Sequence, residues 1–400
     1  MSAMDIDLDP STVLITLREE SDPELYQVYS SLEDLYDRKL WYQLTVELSN
    51  EFYGSPLSKG FRLRLFENFI LKFNEKINQL KLIEFLILSL DDVKTLNDKL
   101  EYLLQLKERI SNYGLKKSKE DDLNDLEILQ ALVFIDCEIS KMKLKLELTD
   151  ESSALIDDCS KRIDQLNSVD NRINASYYSA CAELNKVKGD YNSFYHNSLL
   201  FLACLNDDIS RLEHKEEIIN DIIISGLLGD SIYNFGEIIM HDLFKYSKVE
   251  YLKELMTSLN NGDLNKFNKI LQDTNNLNKY SDISKNVEFL RQKICIMSLI
   301  ELIFSKPTTN KNLTFKEILD SNFLLKDFNE VEYLLMKCLS LKLIKGSIDQ
   351  VNSQVEISWI KSRTMTQDQI KSMKDKLSIW NEKVVGMTEY MNNSGKELWV

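Results

Sequence analysis

Three histidines and six cysteines are the residues of this chain with the donor chemistry to hold a transition metal. His196, His214 and His241 stand far apart, and Cys137, Cys159, Cys181, Cys204, Cys295 and Cys338 form no Cys-x-x-Cys pair. Zinc sites carry short paired spacings because one turn must present two ligands together, so no metal site is expected. The cysteines read as reduced thiols, several of them filling core. Ser394-Gly395-Lys396-Glu397 has the Gly-Lys step of a phosphate loop. It lacks the leading glycine and the following Ser or Thr, and it follows no strand. No Gly-x-Ser-x-Gly elbow or dinucleotide fingerprint is present. Acidic pairs such as Glu216-Glu217 read as solvated helix faces. The expectation is a protein with no catalytic residue, cofactor or metal.

What remains is the chemistry of docking, and it gathers in the last ninety residues. Ile370, Met373, Leu377, Trp380, Val384, Met387 and Met391 recur with alternating steps of three and four. Those steps keep one helix face toward a partner, as in a coiled coil or bundle. A tryptophan and three methionines suit an irregular multi-helix bundle better than a regular zipper. The simpler alternative is a helix folded back on its own chain. Just before it, the stretches from Leu343 to Asp349 and from Gln354 to Ile360 read as a two-stranded wing. Val355, Ile357 and Trp359 alternate with Glu356 and Ser358, which gives one apolar face for burial against helices. The strand edge at Ile357 is the expected place for pairing with a neighbouring subunit. Alternatively, the hairpin only closes its own small domain.

Composition bounds the elements that position these surfaces. Four prolines and eleven glycines are few for 400 residues, which favours helix throughout. The start, Met1-Ser2-Ala3-Met4-Asp5-Ile6-Asp7, is acidic where a secretory signal is basic. No apolar stretch is long enough to span a bilayer. Cytoplasmic and nuclear residence is the expectation, with residues 1–10 disordered. Helical runs are expected through Leu35 to Leu48, Leu65 to Phe73, Leu126 to Leu148 and Ala154 to Leu166. Gly54-Ser55-Pro56 marks a break, and Lys116 to Asp122 reads as an exposed loop. Gly189-Asp190, Gly229-Asp230 and Gly262-Asp263 recur, followed by Phe194, Tyr233 and Phe267. Each glycine is expected in the left-handed conformation past a helix end, and each aspartate as the next cap. Their spacing suits stacked helical repeats, although unrelated turns in an ordinary helical domain would look alike.

A long helix from about Ser284 to Phe304 follows, stopped at Lys306-Pro307. Thr314-Phe315-Lys316-Glu317 fits a capping box, with Leu313 and Ile318 as its staple. Past a turn near Asn322 to Asp327, a second helix shows Val331, Leu334, Leu335, Cys338 and Leu339 on one face. Helix, turn, helix and hairpin is the winged-helix order. DNA reading is disfavoured, because residues 306–361 hold eight lysines against seven acidic residues and no arginine. Glu330 and Glu332 open the candidate recognition helix, where phosphates would lie. The net charge of −15 also argues against general nucleic-acid affinity.

Gly346-Ser347-Ile348-Asp349-Gln350 followed by Val355-Glu356-Ile357 resembles the wing of the PCI domain. That domain is shared by proteasome, signalosome and initiation-factor complexes. Phe61 to Phe69, Leu228 to Glu237, Phe289 to Cys295 and the terminal Trp399-Val400 extend the resemblance over nearly the whole chain from about Ser11. Together they are similar to the fungal branch of the subunit-nine family of non-ATPase subunits of the 26S proteasome regulatory-particle lid.

The resemblance implies a mainly α fold. It would comprise a TPR-like solenoid arm (residues 11–188), the helical part of a PCI domain (189–305), its winged helix (306–362) and a terminal bundle helix (366–393). It implies a non-catalytic scaffold for ubiquitin-dependent degradation. The implied partners are other PCI and metalloprotease-fold lid subunits, with the intrinsic ubiquitin receptor nearby, and neither nucleic acid nor membrane. The wing, through Lys345, Gly346, Ser347, Ile348, Asp349, Gln350, Val355, Ile357 and Trp359, would make the lateral PCI contact. The seam from Ile370 to Met391 would enter a shared bundle. A PCI scaffold of the signalosome or of eukaryotic translation initiation factor three is the alternative, and a nucleic-acid-binding winged helix is another.

Overall fold

The computed structural model describes residues 10–117, 122–166, 169–205, 214–272, 280–306, 312–321, 327–365 and 367–395. The acidic start, the middle of the Lys116–Asp122 loop, Pro307, most of the Asn322–Asp327 turn, Lys396 and Trp399-Val400 lie outside them. The chain divides into two compact units, residues 1–211 and 212–400. No helix among the described residues is long and apolar enough to cross a membrane.

The first unit is helical throughout its described elements. They are α1 (Pro10–Glu20), α2 (Tyr26–Asp37), α3 (Trp41–Glu47), α4 (Arg62–Asn68), α5 (Gln79–Ser89), α6 (Leu96–Lys117), α7 (Asp122–Lys145), α8 (Thr149–Gln165), α9 (Asn171–Lys188) and α10 (Tyr191–Leu205). Helix α7 packs against α5, α6, α8 and α9, and α10 packs on α9. The run from Leu35 to Leu48 is not one helix. It breaks at Lys39, whose φ is +57°, and restarts at Trp41. The turn lets Trp41 stack on Phe73 at 5.6 Å while meeting Tyr36 edge-on at 5.7 Å. Tertiary ring packing overrides helical continuity here.

Two buried charges brace this arm. The Arg62 guanidinium donates to the carbonyls of Tyr53 and Ser55 at 3.0 and 3.1 Å. Its Nε donates to Ser58 Oγ at 2.8 Å, so one side chain holds the turn at Gly54-Ser55-Pro56. Asp136, 2% exposed on α7, pairs with the Lys107 ammonium from α6 at 2.5 Å and accepts Arg162 from α8 at 3.0 Å. Three helices therefore share one carboxylate, and a carboxylate buried this deeply is tolerated because a cation stands against each oxygen, with Arg162 donating a hydrogen bond to Oδ2.

The second unit opens with α11 (Lys215–Leu228), α12 (Gly236–Met240), α13 (Glu250–Asn261), α14 (Leu264–Gln272), α15 (Ser281–Lys285) and α16 (Val287–Ser305). The helix expected from Ser284 is split at Asn286 (φ −109°, ψ 23°), so its apolar face begins at Val287. Leu290, Ile294, Met297 and Ile300 line that face and are buried. The Gly-Asp recurrence holds in part. Gly189 and Gly262 take φ of +74° and +69° past helix ends, and Asp190 Oδ1 accepts the Asn192 and Ser193 amides. Gly229 departs, with φ −67° and ψ 132°, and the chain after Asp230 is loop until α12.

A lysine explains that departure. Lys293, 1% exposed on α16, donates from Nζ to the carbonyls of Gly226 (2.8 Å), Leu227 (3.1 Å) and Gly229 (2.7 Å). The Gly226 and Leu227 carbonyls are among those left open at the negative end of α11, and the Gly229 carbonyl turns to the same ammonium because Gly229 is not left-handed. Phe235, Phe289 and Tyr233 surround the ammonium at 5.2 to 5.6 Å from ring centroid to Nζ. Burial pushes the Lys293 pKa down to about 7, and the Asp230 carboxylate pulls it back up. Three acceptors match the three donors of an ammonium, so the cradle is built for the charged form.

Replacing Lys293 by Met keeps the stem but orphans all three carbonyls. Each unsatisfied buried acceptor costs roughly 1–3 kcal/mol, so Lys293→Met is expected to lower the stability of this unit by about 3 kcal/mol or more. Urea denaturation followed by circular dichroism checks this; an unchanged midpoint means the cradle contributes nothing.

Candidate functional site

The winged helix consists of β1 (Asn312–Thr314), α17 (Phe315–Ser321), α18 (Phe328–Ser340), β2 (Ile344–Asp349) and β3 (Gln354–Ile360). The capping box is in place: the Glu317 amide donates to Thr314 Oγ1, and the Thr314 amide to Glu317 Oε2, both at 3.4 Å. Leu313, Phe315, Ile318, Val331, Leu335 and Cys338 are buried together with Leu343 and Ile344.

The wing hairpin forms between β2 and β3 as expected, and β1 joins it as a third strand. The strand order is β1-β3-β2, all antiparallel, with Leu313 opposite Val355 and Ile348 opposite Val355 on the other side. Three residues of β1 are too few to carry a strand pattern in sequence, and the capping-box signal overlies them. The consequence is that β3 is central. Ile357, 2% exposed, lies one residue past Glu356, the last residue that β1 covers, and the longer open edge is the outer side of β2.

A bulge decides where Trp359 points. Gly346 pairs with Ile357 and Lys345 with Trp359, leaving Ser358 as the extra residue. One extra residue moves the pleat by one position. Val355 and Ile357 therefore face the core, while Trp359 turns outward at 43% exposure instead of joining them. The Lys345 ammonium lies 5.0 Å from its ring centroid, and Ser358 Oγ donates to the Lys345 carbonyl at 3.1 Å. Gly346 is required at this crossing, because a Cβ there would sit 2.2 Å from the Glu356 carbonyl oxygen. Asp349 Oδ1 accepts the Val351 and Asn352 amides at 3.1 and 3.2 Å, closing the wing tip. Gln350 reaches Glu332 of α18 at 3.1 Å.

The predicted wing residues thus divide in two. Val355 and Ile357 hold the domain together. Lys345, Gly346, Ser347, Asp349, Gln350 and Trp359 are exposed, with Ile348 half-buried. The sequence pattern did not single out Tyr333 and Met336, which are 72% and 52% exposed on the outer face of α18. Their signal was available: both fall opposite Val331, Leu335 and Cys338 in helical phase. With Glu330 in its first turn, this face is apolar and acidic, a poor match for nucleic acid.

Beyond the wing, α19 (Gln367–Gly395) extends for 29 residues. Ile370, Met373, Leu377, Trp380, Val384, Met387 and Met391 are all 43–69% exposed. Ile379 and Tyr390, at 54% and 71%, widen the apolar face. The helix does not fold back on its own chain to bury this stripe. Among the described residues no group of three or more His, Cys, Asp and Glu could hold a metal, and the six cysteines are free thiols.

A helical arm, a winged helix with a small sheet and an uncovered terminal helix define a PCI-type docking protein. Family models agree along the chain: residues 28–259 match PSD13 N-terminal repeats, 264–359 the PCI domain and 363–395 the Rpn9 C-terminal helix. The chain is 38% identical to the 26S proteasome regulatory subunit RPN9 of Saccharomyces cerevisiae, over 97% of this chain and 98% of that one. Identity is 35% to the probable subunit rpn9 of Schizosaccharomyces pombe, covering 94% of each chain. It is 33% to 26S proteasome non-ATPase regulatory subunit 13 homolog B of Arabidopsis thaliana, over 92% and 93% respectively. The chain belongs to this RPN9/PSD13 family of 26S proteasome regulatory subunits.

Gly346→Val is expected to open the β2–β3 crossing while sparing the helices. Hydrogen exchange of residues 344–349 should rise at least tenfold with helical circular dichroism retained; unchanged protection would show that the crossing tolerates a side chain.

Proposed function

We propose that this chain is a non-catalytic scaffold of the proteasome lid, held by two surfaces of its second unit. The lateral contact uses the β2 edge from Lys345 to Gln350 together with Trp359, while Val355 and Ile357 support it from beneath. The bundle contact uses the α19 seam from Ile370 to Met391. Neighbouring PCI and metalloprotease-fold lid subunits are the partners, the intrinsic ubiquitin receptor lies near the arm, and the assembly works in cytoplasm and nucleus.

The carrying observation is the 29-residue α19 with a stripe of large apolar side chains left 43–69% exposed. Burying one such side chain contributes about 1.5–3 kcal/mol, and here that gain is available only from a partner. Family membership supplies the assembly in which such partners occur. Signalosome and initiation-factor scaffolds have similar domains, but the relatives matched over nearly their full length are proteasomal.

Deleting residues 366–400 is expected to leave a folded protein that fails to enter the proteasome. Purification through an N-terminal tag, with co-purifying proteins identified by mass spectrometry, reads this out; normal incorporation of the truncated chain would sink the bundle reading. Trp359→Ala should leave the fold intact by circular dichroism, because the core positions Val355 and Ile357 are untouched, yet weaken recovery of the lid. If recovery stays normal, the lateral surface lies elsewhere.

A further inference from the structure

Between β3 and α19 the chain does not hang free. Residues 361–365 form a strap without regular secondary structure, and Arg363 and Thr364 within it are half-buried against the helical layer. Arg363, with a side chain only 12% exposed, donates from Nη2 to the Asn260 carbonyl in the last turn of α13. Its Nη1 lies 3.4 Å from Glu301 of α16. Asn260 precedes the Gly262 cap, so its carbonyl is one of those a helix leaves unpaired at its end. Gly262 in turn lies against Ser298 of α16, where a Cβ would come within 2.9 Å of the Ser298 Cα. Burial lowers the Arg363 pKa from its ordinary value and Glu301 opposes that, but a guanidinium stays charged throughout.

Thr364 fills the second socket. It lies directly over Gly236, the first residue of α12, where an added Cβ would fall 1.4 Å from Thr364 Oγ1 and 2.5 Å from its Cβ. The Thr364 amide and hydroxyl both face Asn234 Oδ1 at 3.5 Å. Gly236 does not have a positive φ, so its own backbone does not demand glycine. Only the strap does. From Thr364 to the start of α19 at Gln367 is three residues, a reach of at most about 11 Å.

We infer that Arg363, Thr364 and Gly236 form a positioning latch that fixes the root of the terminal helix on the helical layer. The latch presents α19 from a defined point, so less conformational freedom is lost when it docks. This role rests on the docking function proposed above, whereas the latch itself does not.

The test uses the full chain. Gly236→Ala adds one methyl to a helix-compatible position and should evict Thr364. Hydrogen exchange at residues 363–365 is expected to quicken at least tenfold, with protection of β2, β3 and α13 retained. In a Thr364→Gly background the socket is empty, so Gly236→Ala should add nothing, which separates eviction from damage to α12. Equal effects in both backgrounds, or no change in exchange, would overturn the latch. In tagged purification, Gly236→Ala should cut lid recovery at least threefold. A loosened strap with full recovery would overturn the positioning role. The tail deletion judges the docking reading separately, so the two failures are distinguishable.

Discussion

The second unit is organised around one buried ammonium. Lys293 sits in α16, closes the carbonyl end of α11 and stacks against Tyr233 and Phe235 in the loop that follows. The residue after Phe235 is Gly236, where α12 begins, and it receives Thr364. One charge is therefore linked through a few contacts to the place where the terminal helix leaves the domain. An ammonium so placed must keep all its partners, because a buried charge left short of acceptors is costly. That requirement holds α11, the 229–236 loop and α16 in one arrangement.

The wing and the terminal helix solve different problems. The wing is a small sheet whose core residues, Val355 and Ile357, are covered internally, so it stands without help. Its bulge turns Trp359 outward beside Lys345, and the strand order leaves β2 as an open edge, a feature that calls for a neighbour or for protection by charge. The terminal helix has no internal cover along its seam, and its stability alone would be marginal in water. A wing covered from within beside a helix whose apolar stripe is exposed suits a subunit of a larger assembly.

The winged helix also shows how little a fold says about a ligand. Helix α18 occupies the place a DNA reader would use, yet it presents Glu330, Glu332, Tyr333 and Met336. Acid at a helix start repels phosphate, and apolar side chains find no partner on a base edge except a methyl group. Residue chemistry at the site disfavours what the topology alone would permit.

Much of this could be read from residues alone, because it rests on local rules. Periodic apolar spacing marked α16, α18 and α19, and Thr314 with Glu317 marked a helix start that forms as expected. The seam of α19 was legible for the same reason: phase along a helix depends only on spacing. Other features needed the folded chain. The break at Lys39 follows from distant rings converging, and the non-helical Gly229 follows from Lys293, 64 residues away. The third strand came from pairing too short to leave a pattern. Trp359 turned outward because a bulge shifts the pleat, and no count of alternating residues contains that shift. The strap at Arg363 and Thr364 is likewise invisible in sequence, since it depends on Asn260, Glu301 and Gly236 meeting in space. Spacing within an element determined which surfaces exist, and contacts between elements decided which way they face and where they are anchored.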